Sequence, residues 1–444
     1  MHDWKKKLKE LTSKKIALLG LGLDNRALLE LLERYGNPDS VTICDFRPQS
    51  QLAIPKLKRL KLNYQLEDKF NRDLYKFDIL FRSPGWPLAC PGVQEARRRG
   101  LTDINSPLNL FLSVCPSQKI IGVTGSKGKG TTASLINEIL KKSGRKVWLG
   151  GNIGIAPLSF LPKIKATDWV VLELSSFQLE DARRSPRFAV LTNIFHEHLS
   201  PADPNNPNFH SSFSAYWEAK LNIACQPGNR YLIANQKLKP QIKTAQLKSQ
   251  IIYFAPSHRP SGLIGNFNQE NVGAAEAIAK LLKIPAKQFG PVIKGFHNLN
   301  HRLEKIPSRD GRDYFDNSFS TTPESTILDL ESFRQQPIIL IVGGADKGAD
   351  FSNLAKTIKQ KVKFLVLLTG AGTERIKKEL KKVNFPPTHA AEANSMEKAV
   401  SLAKKKSKAG DVILLSTACA SFGLFKNYKE RGDLFKKYVE ENQN

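Results

Sequence analysis

The sequence predicts an α/β protein made of successive doubly wound units. Short apolar strands alternate with amphipathic helices along the whole chain, the pattern left by helices laid over parallel sheets. The length of 444 residues accommodates about three domains. Hydrophobic residues at 41% and charged residues at 25% mark a globular chain rather than a disordered one.

The first unit opens with the strand "KKIALLGLG", a glycine turn, and a helix through "NRALLELLERYG". A second strand, "SVTICDF", ends in Asp45. This is half of a dinucleotide-type unit, but Asn25 stands where a third fingerprint glycine is expected, so a nicotinamide cofactor is disfavoured. An acid at this strand end suits a ribose or a uracil, whereas a lone GxG is more often only a turn. "RSPGWP", Arg82 to Pro87, closes another strand-end loop.

The second unit begins near Asn105. "KIIGVTG" reads as a strand, and "TTASLINEILKKSG" as a helix with the apolar stripe Leu135, Ile136, Ile139, Leu140 and a C-terminal glycine, Gly144. "DWVVLELSS" and "RFAVLTNIF" are two further strands. The third unit follows "NHRLEKI", with strands "PIILIVGG", "KFLVLLTG" and "DVILLSTA".

Chemistry concentrates at the strand ends. In "VTGSKGKGTTA", Gly125 and Gly128 let backbone N–H groups approach phosphate oxygens, and Lys129 supplies positive charge. A strand before the loop and a helix after it separate a phosphate site from a chance glycine turn. Gly130 occupies the place of the hydroxyl residue that holds Mg²⁺ in such loops, with Thr131 and Thr132 following. Glu173 ends the strand "VVLELSS", where a carboxylate suits Mg²⁺ and an exposed strand-end acid suits it equally. "TNIFHEHL" is expected to carry His196 and His198 on one face of a strand end and Glu197 on the other. Lys220, in "YWEAKLNIA", reads by itself as an ordinary helix lysine.

Composition bounds the partners. Lys and Arg outnumber Asp and Glu by 68 to 41, a formal net charge of +27. The lysines fall on polar helix faces, as in "NLAKTIKQKVK", without RNA-binding aromatic signatures or zinc-finger spacing. A solvated surface is therefore favoured over a nucleic-acid partner, and such a surface attracts small anions. No apolar run approaches the ~20 residues that span a bilayer, and Ile16 to Leu23 is too short and glycine-broken for a signal core. Cys44, Cys90, Cys115, Cys225 and Cys419 lack CxxC spacing, which points to free thiols in a reducing cytoplasm without structural zinc.

Taken in order, the phosphate loop, "ELSSFQLE", "TNIFHEHL", "YWEAKLNI", "NHRLE", "GGADKGADF" and "STACASFGLFKNYKERGDLF" resemble the ATP-dependent Mur ligases, most closely the branch that adds D-glutamate. The resemblance spans nearly the whole chain. It implies three domains: a Rossmann-like UDP-substrate domain (residues 1–104), a central P-loop ATPase-type domain with a parallel or mixed sheet (105–304), and a C-terminal Rossmann-like domain that binds the amino acid (305–444). It implies ATP, two Mg²⁺ ions, UDP-N-acetylmuramoyl-L-alanine and D-glutamate as ligands, and a monomeric enzyme of cytoplasmic peptidoglycan precursor synthesis.

Carried onto this chain, the UDP-substrate side falls to Gly22, Leu23, Asp45, Phe46, Arg47, Ser83, Pro84, Gly85, Asn152 and Ser175. ATP falls to Gly125, Ser126, Lys127, Gly128, Lys129, Gly130, Thr131, Asn268, Asn271, Arg302 and Asn317. Glu173, His198, Lys220 and Thr131 are the implied metal residues, with Lys220 carbamylated, and Lys129, His198, Lys220 and Asn152 the implied catalytic ones. D-glutamate falls to Thr321, Lys347, Ser421, Phe422 and Tyr428, and Lys347 with Ser421 suits a second carboxylate on the incoming amino acid.

Four departures stand out: Gly130 for the loop hydroxyl, Glu197 for an Asp, Phe267 for a His, and Phe319 for a Lys with Asn317 at the neighbouring Asp position. They leave two alternatives open, a non-catalytic nucleotide-binding relative and a sibling or folylpolyglutamate-type ligase using another amino acid.

Overall fold

The computed structural model describes residues 4–36, 38, 40–199, 208–333, 335–346 and 348–441. The chain forms two compact units, Met1–Ser257 with Glu270–Val292, and His258–Gln269 with Ile293–Asn444. The first unit contains two sheets and the second contains one.

The first sheet comprises β1 (Ile16–Leu19), β2 (Val41–Asp45), β3 (Leu62–Leu66), β4 (Ile79–Arg82) and β5 (Ile104–Asn105), in the order β3-β2-β1-β4-β5 and parallel throughout. Alternation sorts its side chains. Ile16, Leu18, Ile43 and Phe81 enter one core, and Ala17, Leu19 and Leu80 enter another on the opposite face. Burial on both faces explains why these strands read as continuous apolar runs.

The second sheet comprises β6 (Ile120–Thr124), β7 (Val147–Gly151), β8 (Trp169–Glu173), β9 (Phe188–Leu191), β10 (Tyr231–Asn235) and β11 (Gln250–Phe254). Its order is β11-β10-β9-β6-β8-β7, again all parallel. The helix Lys129–Lys142 covers it with Leu135, Ile136, Ile139 and Leu140, all buried, and Gly144 ends it at a φ of 79°. In the second unit, β12 (Glu304–Ile306), β13 (Asp313–Asn317), β14 (Ile338–Gly343), β15 (Val362–Leu368), β16 (Ala390–Ala393) and β17 (Val412–Ser416) form the order β12-β13-β17-β14-β15-β16. Only the β12–β13 pair is antiparallel, so this sheet is mixed.

Arg82, at the end of β4, is buried between the two sheets of the first unit. It donates to the Phe177 and Trp86 carbonyls at 2.8 and 2.9 Å and to Asp181 at 3.1 Å. No helix among the described residues is long and apolar enough to cross a membrane.

Asn25 explains the irregular fingerprint. Its buried amide nitrogen lies 2.8 Å from the Gly20 carbonyl and 3.0 Å from that of Phe81, joining the ends of β1 and β4. Gly20 has a φ of 78°, and a Cβ there would lie 2.5 Å from Ser83 Oγ, so the turn demands glycine. Asp45 closes the same turn. It accepts from Leu21 N at 2.8 Å and from Arg47 N, Nε and Nη2 at 3.0, 2.9 and 2.8 Å.

Burial opposes the Asp45 charge, but the Arg47 side chain and the Leu21 and Arg47 N–H groups hold its pKa below the ordinary 3.8. A carboxylate with a depressed folded-state pKa contributes stability above its unfolded value and loses it as pH falls through the folded value. Asp45→Asn is therefore expected to be less stable than the parent at pH 7, with the gap closing below about pH 4. Urea midpoints of both proteins across this range measure the difference.

Candidate active site

The phosphate loop is built by its neighbours. β6 delivers the chain to Gly125, and the helix from Lys129 carries it away. Gly128 caps that helix in the left-handed region at a φ of 79°, and a Cβ there would run into the Asn271 amide. Asn271 also accepts from the Thr132 hydroxyl at 3.2 Å. Thr131, the residue that could supply the missing loop hydroxyl, is buried in the first helical turn.

Two residues just past β9 hold the loop open. Ser126 N donates to the Asn193 carbonyl at 3.0 Å, and Lys127 N donates to Asn193 Oδ1 at 2.8 Å. The Lys127 carbonyl accepts from Thr192 Oγ1 at 2.8 Å and from Asn193 Nδ2 at 3.1 Å. Ser126 Oγ lies 2.7 Å from the Tyr216 hydroxyl and accepts from Phe195 N at 2.8 Å. Thr192, Asn193 and Tyr216 were not singled out from sequence. The only hint was polar "TN" at the end of an apolar strand.

Positive charge gathers on this loop. Lys129 Nζ donates to the Gly125 and Ser126 carbonyls at 3.0 and 2.8 Å. Lys220 Nζ, fully buried on the helix Phe213–Cys225, donates to the same Gly125 carbonyl at 2.8 Å. Burial and then the nearby Lys129 push the Lys220 amine well below its ordinary range. Lys220 is thus not the solvated helix lysine that its local sequence suggests.

The acids face this cluster. Glu173 is buried at the end of β8. Its Oε1 accepts from Asn152 Nδ2 at 3.3 Å, and its Oε2 has no hydrogen-bond partner. A buried carboxylate oxygen left without a partner is costly unless a cation or donor meets it, and Mg²⁺ prefers such hard oxygen ligands. The donors at this site therefore fit a magnesium ion. Glu197 forms an ion pair with Lys127. Burial opposes its charge, yet Lys127, His198 and Lys129 hold its pKa at about 2.

The expected strand placement of His196, Glu197 and His198 is wrong. β9 ends at Leu191, where the chain turns off to brace the phosphate loop, so strand alternation does not apply. His198 takes a φ of 58°. His196 stacks on Phe213 at 4.2 Å, whereas His198 lies 5.0 Å from Phe177 and 6.1 Å from Tyr216. Desolvation pulls the His198 pKa down to about 4, Lys220 and Lys129 adding to it against Glu197. Buried His210, also missed from sequence, stacks on Phe177, sits 3.0 Å from Ser176 Oγ and donates its N–H to the His198 carbonyl at 2.8 Å.

On the first sheet, Gly22, Leu23, Asp45, Phe46, Arg47 and Ser83–Gly85 gather at the ends of β1, β2 and β4. Leu23 and Phe46 are 41% and 39% exposed, an open apolar pair beside the polar turn. Asp45 is not an open acceptor, because Arg47 and Leu21 fill its oxygens. Ser175 caps the short helix Ser176–Leu179 in a capping box with Gln178.

In the second unit, Asn268 Nδ2 donates to the Ile264 carbonyl at 2.6 Å. The Asn317 amide donates to buried Asp329 at 2.6 Å. Arg302 lies over the Phe319 ring at 3.7 Å, and Phe319 meets Tyr428 edge-on at 5.1 Å. Buried Arg431, missed from sequence, donates to the Ser318 and Cys419 carbonyls at 2.8 and 3.2 Å and so ties the Tyr428 segment to Phe319's neighbour. Ser421 is buried, while Thr321 and Phe422 are partly exposed. Lys347 lies outside the described residues.

Comparisons with known proteins agree with this architecture. Residues 123–260 match the Mur ligase middle domain, and residues 301–419 match the Mur ligase, glutamate ligase domain. The UDP-N-acetylmuramoylalanine–D-glutamate ligase of Acetivibrio thermocellus is 35% identical over 99% of this chain and 98% of its own. That of Symbiobacterium thermophilum is 34% identical over 96% and 97%. The crystal structure of MurF ligase from Thermotoga maritima in complex with ADP superposes with a TM-score of 0.62 at 16% identity, covering all of both chains. With a phosphate loop, an orphaned buried carboxylate and a buried lysine in one place, and relatives matched end to end, the chain belongs to the Mur ligase family.

Proposed function

We propose that this chain is an ATP-dependent ligase that joins D-glutamate to UDP-N-acetylmuramoyl-L-alanine during peptidoglycan precursor synthesis in the cytoplasm. Its working parts follow the divisions 1–104, 105–304 and 305–444. The observation that carries the reading is Lys220, a fully buried lysine whose amine is pushed toward neutrality beside the phosphate loop and its acids. A neutral amine can add CO₂: an N–C bond forms, a proton leaves, and a cationic side chain becomes a carbamate anion. Glu173, His198, Thr131 and carbamylated Lys220 would then hold two Mg²⁺ ions. Bound magnesium supplies charge neutralisation around the phosphates.

The chain's own groups set up the two chemical steps. The loop N–H groups and Lys129 hold the triphosphate while the substrate carboxylate attacks the γ-phosphorus, the bond to the β-phosphate breaks, and ADP departs. The D-glutamate amine then attacks the acyl phosphate carbonyl, sheds a proton and expels phosphate. Leu23 and Phe46 offer apolar surface to the uridine, and Arg47 places a cation beside it. Asn152 orients Glu173 through its 3.3 Å bond. Thr321, Lys347, Ser421, Phe422 and Tyr428 receive D-glutamate, while Asn268, Asn271, Arg302 and Asn317 serve ATP.

Incubation with ATP, Mg²⁺, UDP-N-acetylmuramoyl-L-alanine and D-glutamate should release phosphate, saturate with D-glutamate and yield the amide product. A folded protein that binds both substrates yet makes no product sinks the reading. Lys220→Ala should lower turnover about 100-fold or more, the scale on which removal of one transition-state charge partner is felt. Added formate or acetate should restore part of it by occupying the place of the carbamate.

Phe319 gives a second test. Its ring already carries the Arg302 guanidinium at 3.7 Å. Introducing the lysine that the family resemblance leads one to expect, Phe319→Lys, should therefore lower turnover, because two cations then compete for one place. A gain in kcat would show that Arg302 does not depend on the ring.

A further inference from the structure

Lys127 is the residue of the phosphate loop whose side chain is not needed to shape it. The main chain does that work: Lys127 N reaches Asn193 Oδ1, and its carbonyl takes Thr192 Oγ1 and Asn193 Nδ2, contacts that do not involve its side chain. The side chain instead pairs with Glu197, which is only 9% exposed and precedes His198 in the chain. This flexible side chain therefore starts from the glycine-rich loop ahead of the helix Lys129–Lys142, and its ammonium rests on an acid beside the implied metal histidine.

Three facts make this pairing more than a surface ion pair. Gly130 offers no hydroxyl where such loops hold Mg²⁺, so the loop lacks one oxygen ligand. The Lys127 backbone is fixed at both its N–H and its carbonyl, so the point from which its flexible four-carbon stem swings is set. Lys129 rests on the Gly125 and Ser126 carbonyls, weak acceptors that a phosphate oxygen outcompetes. The same competition applies to Lys127, because a terminal phosphate carries more negative charge and more acceptor oxygens than one carboxylate.

Building on the ligase reading, we propose that Lys127 is a second phosphate-binding lysine of this loop, held on Glu197 without nucleotide and transferred to the terminal phosphate of a nucleoside triphosphate. Transfer leaves the Glu197 carboxylate, beside His198, facing the phosphates as an added oxygen ligand for a divalent cation. The exchange breaks and forms ion pairs only, with no covalent change. It couples arrival of the third phosphate to completion of the cation site, and ADP triggers it less well.

Equilibrium binding tests this without turnover. ATP and ADP affinities are measured by calorimetry, with and without Mg²⁺, on the parent, Lys127→Met, Lys127→Arg and Glu197→Gln. Lys127→Met should weaken ATP about 10- to 100-fold, the range expected for one charge-assisted bond, and ADP by much less. Lys127→Arg should keep most of the ATP affinity. Glu197→Gln should tighten ATP binding without metal, because the competing acceptor is neutralised, and weaken the Mn²⁺ signal of the ATP complex in electron paramagnetic resonance. Equal weakening of ATP and ADP by Lys127→Met, or looser metal-free ATP binding by Glu197→Gln, overturns the proposal. If Lys127→Met does not fold, Glu197→Gln decides. A parent protein that binds ATP but makes no amide overturns the ligase reading and leaves this one standing.

Discussion

Positive charge packed against the Gly125 and Ser126 carbonyls is the constraint on which the rest of the site depends. Lys129 and Lys220 share the Gly125 carbonyl, which brings their nitrogens within about 6 Å of each other; at an effective dielectric of ~20 two charges at that range repel by about 3 kcal/mol. The fold answers in two ways. It buries Lys220, which favours the neutral amine, and it sets Glu173 and Glu197 opposite the lysines. Neither response removes the excess. A polyanion would, and the proposed nucleotide supplies one.

Such a cluster needs rigid walls, and parallel topology supplies them. β6, β8 and β9 all end at one edge of the second sheet, delivering the loop, Glu173 and the Thr192–Asn193 brace together. The helix Phe213–Cys225 adds Tyr216 and Lys220 one turn apart, on the same face. Arg82 extends the wall to the first sheet: its bond to the Phe177 carbonyl fixes the residue whose ring packs on His198 and His210. A buried arginine is expensive unless each donor is used, and removal of its acid partner leaves that cost exposed. The end of β4 and the histidine wall therefore hold their places together.

The alternation of strands and helices, the helix after the glycine loop and the positions of Gly125, Lys129 and Glu173 at strand ends were legible because local periodicity and glycine punctuation encode them. What failed was non-local. His196 and His198 were placed on one strand face because the apolar run seemed to continue, but Thr192 and Asn193 leave the sheet to bond Lys127, more than sixty residues away. Asn25 read as a missing glycine, yet it bonds two carbonyls from different strands. Asp45 read as a ligand acid, yet Arg47 two residues on closes over it. Lys220 was indistinguishable from a solvated helix lysine until the second sheet closed over it. Asp45 apart, whose closing partner is its near neighbour Arg47, these side chains are explained by main-chain atoms distant in sequence, which neither periodicity nor composition records.

The departures from the family pattern then read as charge moved rather than charge lost. Phe319 gives up a cation but supports another, since Arg302 lies on its ring and Tyr428 packs its edge. Gly130 gives up a hydroxyl in a loop that carries Lys127 beside Lys129. Glu197 meets the Lys127 ammonium in an ion pair. An inactive relative would be free to lose such groups singly, leaving buried charges without partners. In the first unit Lys127 and Glu197 pair and Glu173 Oε2 has no hydrogen-bond partner, and in the second Arg302 and Phe319 stack. An unpartnered buried carboxylate oxygen is costly to keep, and that cost is what the proposed cation at Glu173 would offset.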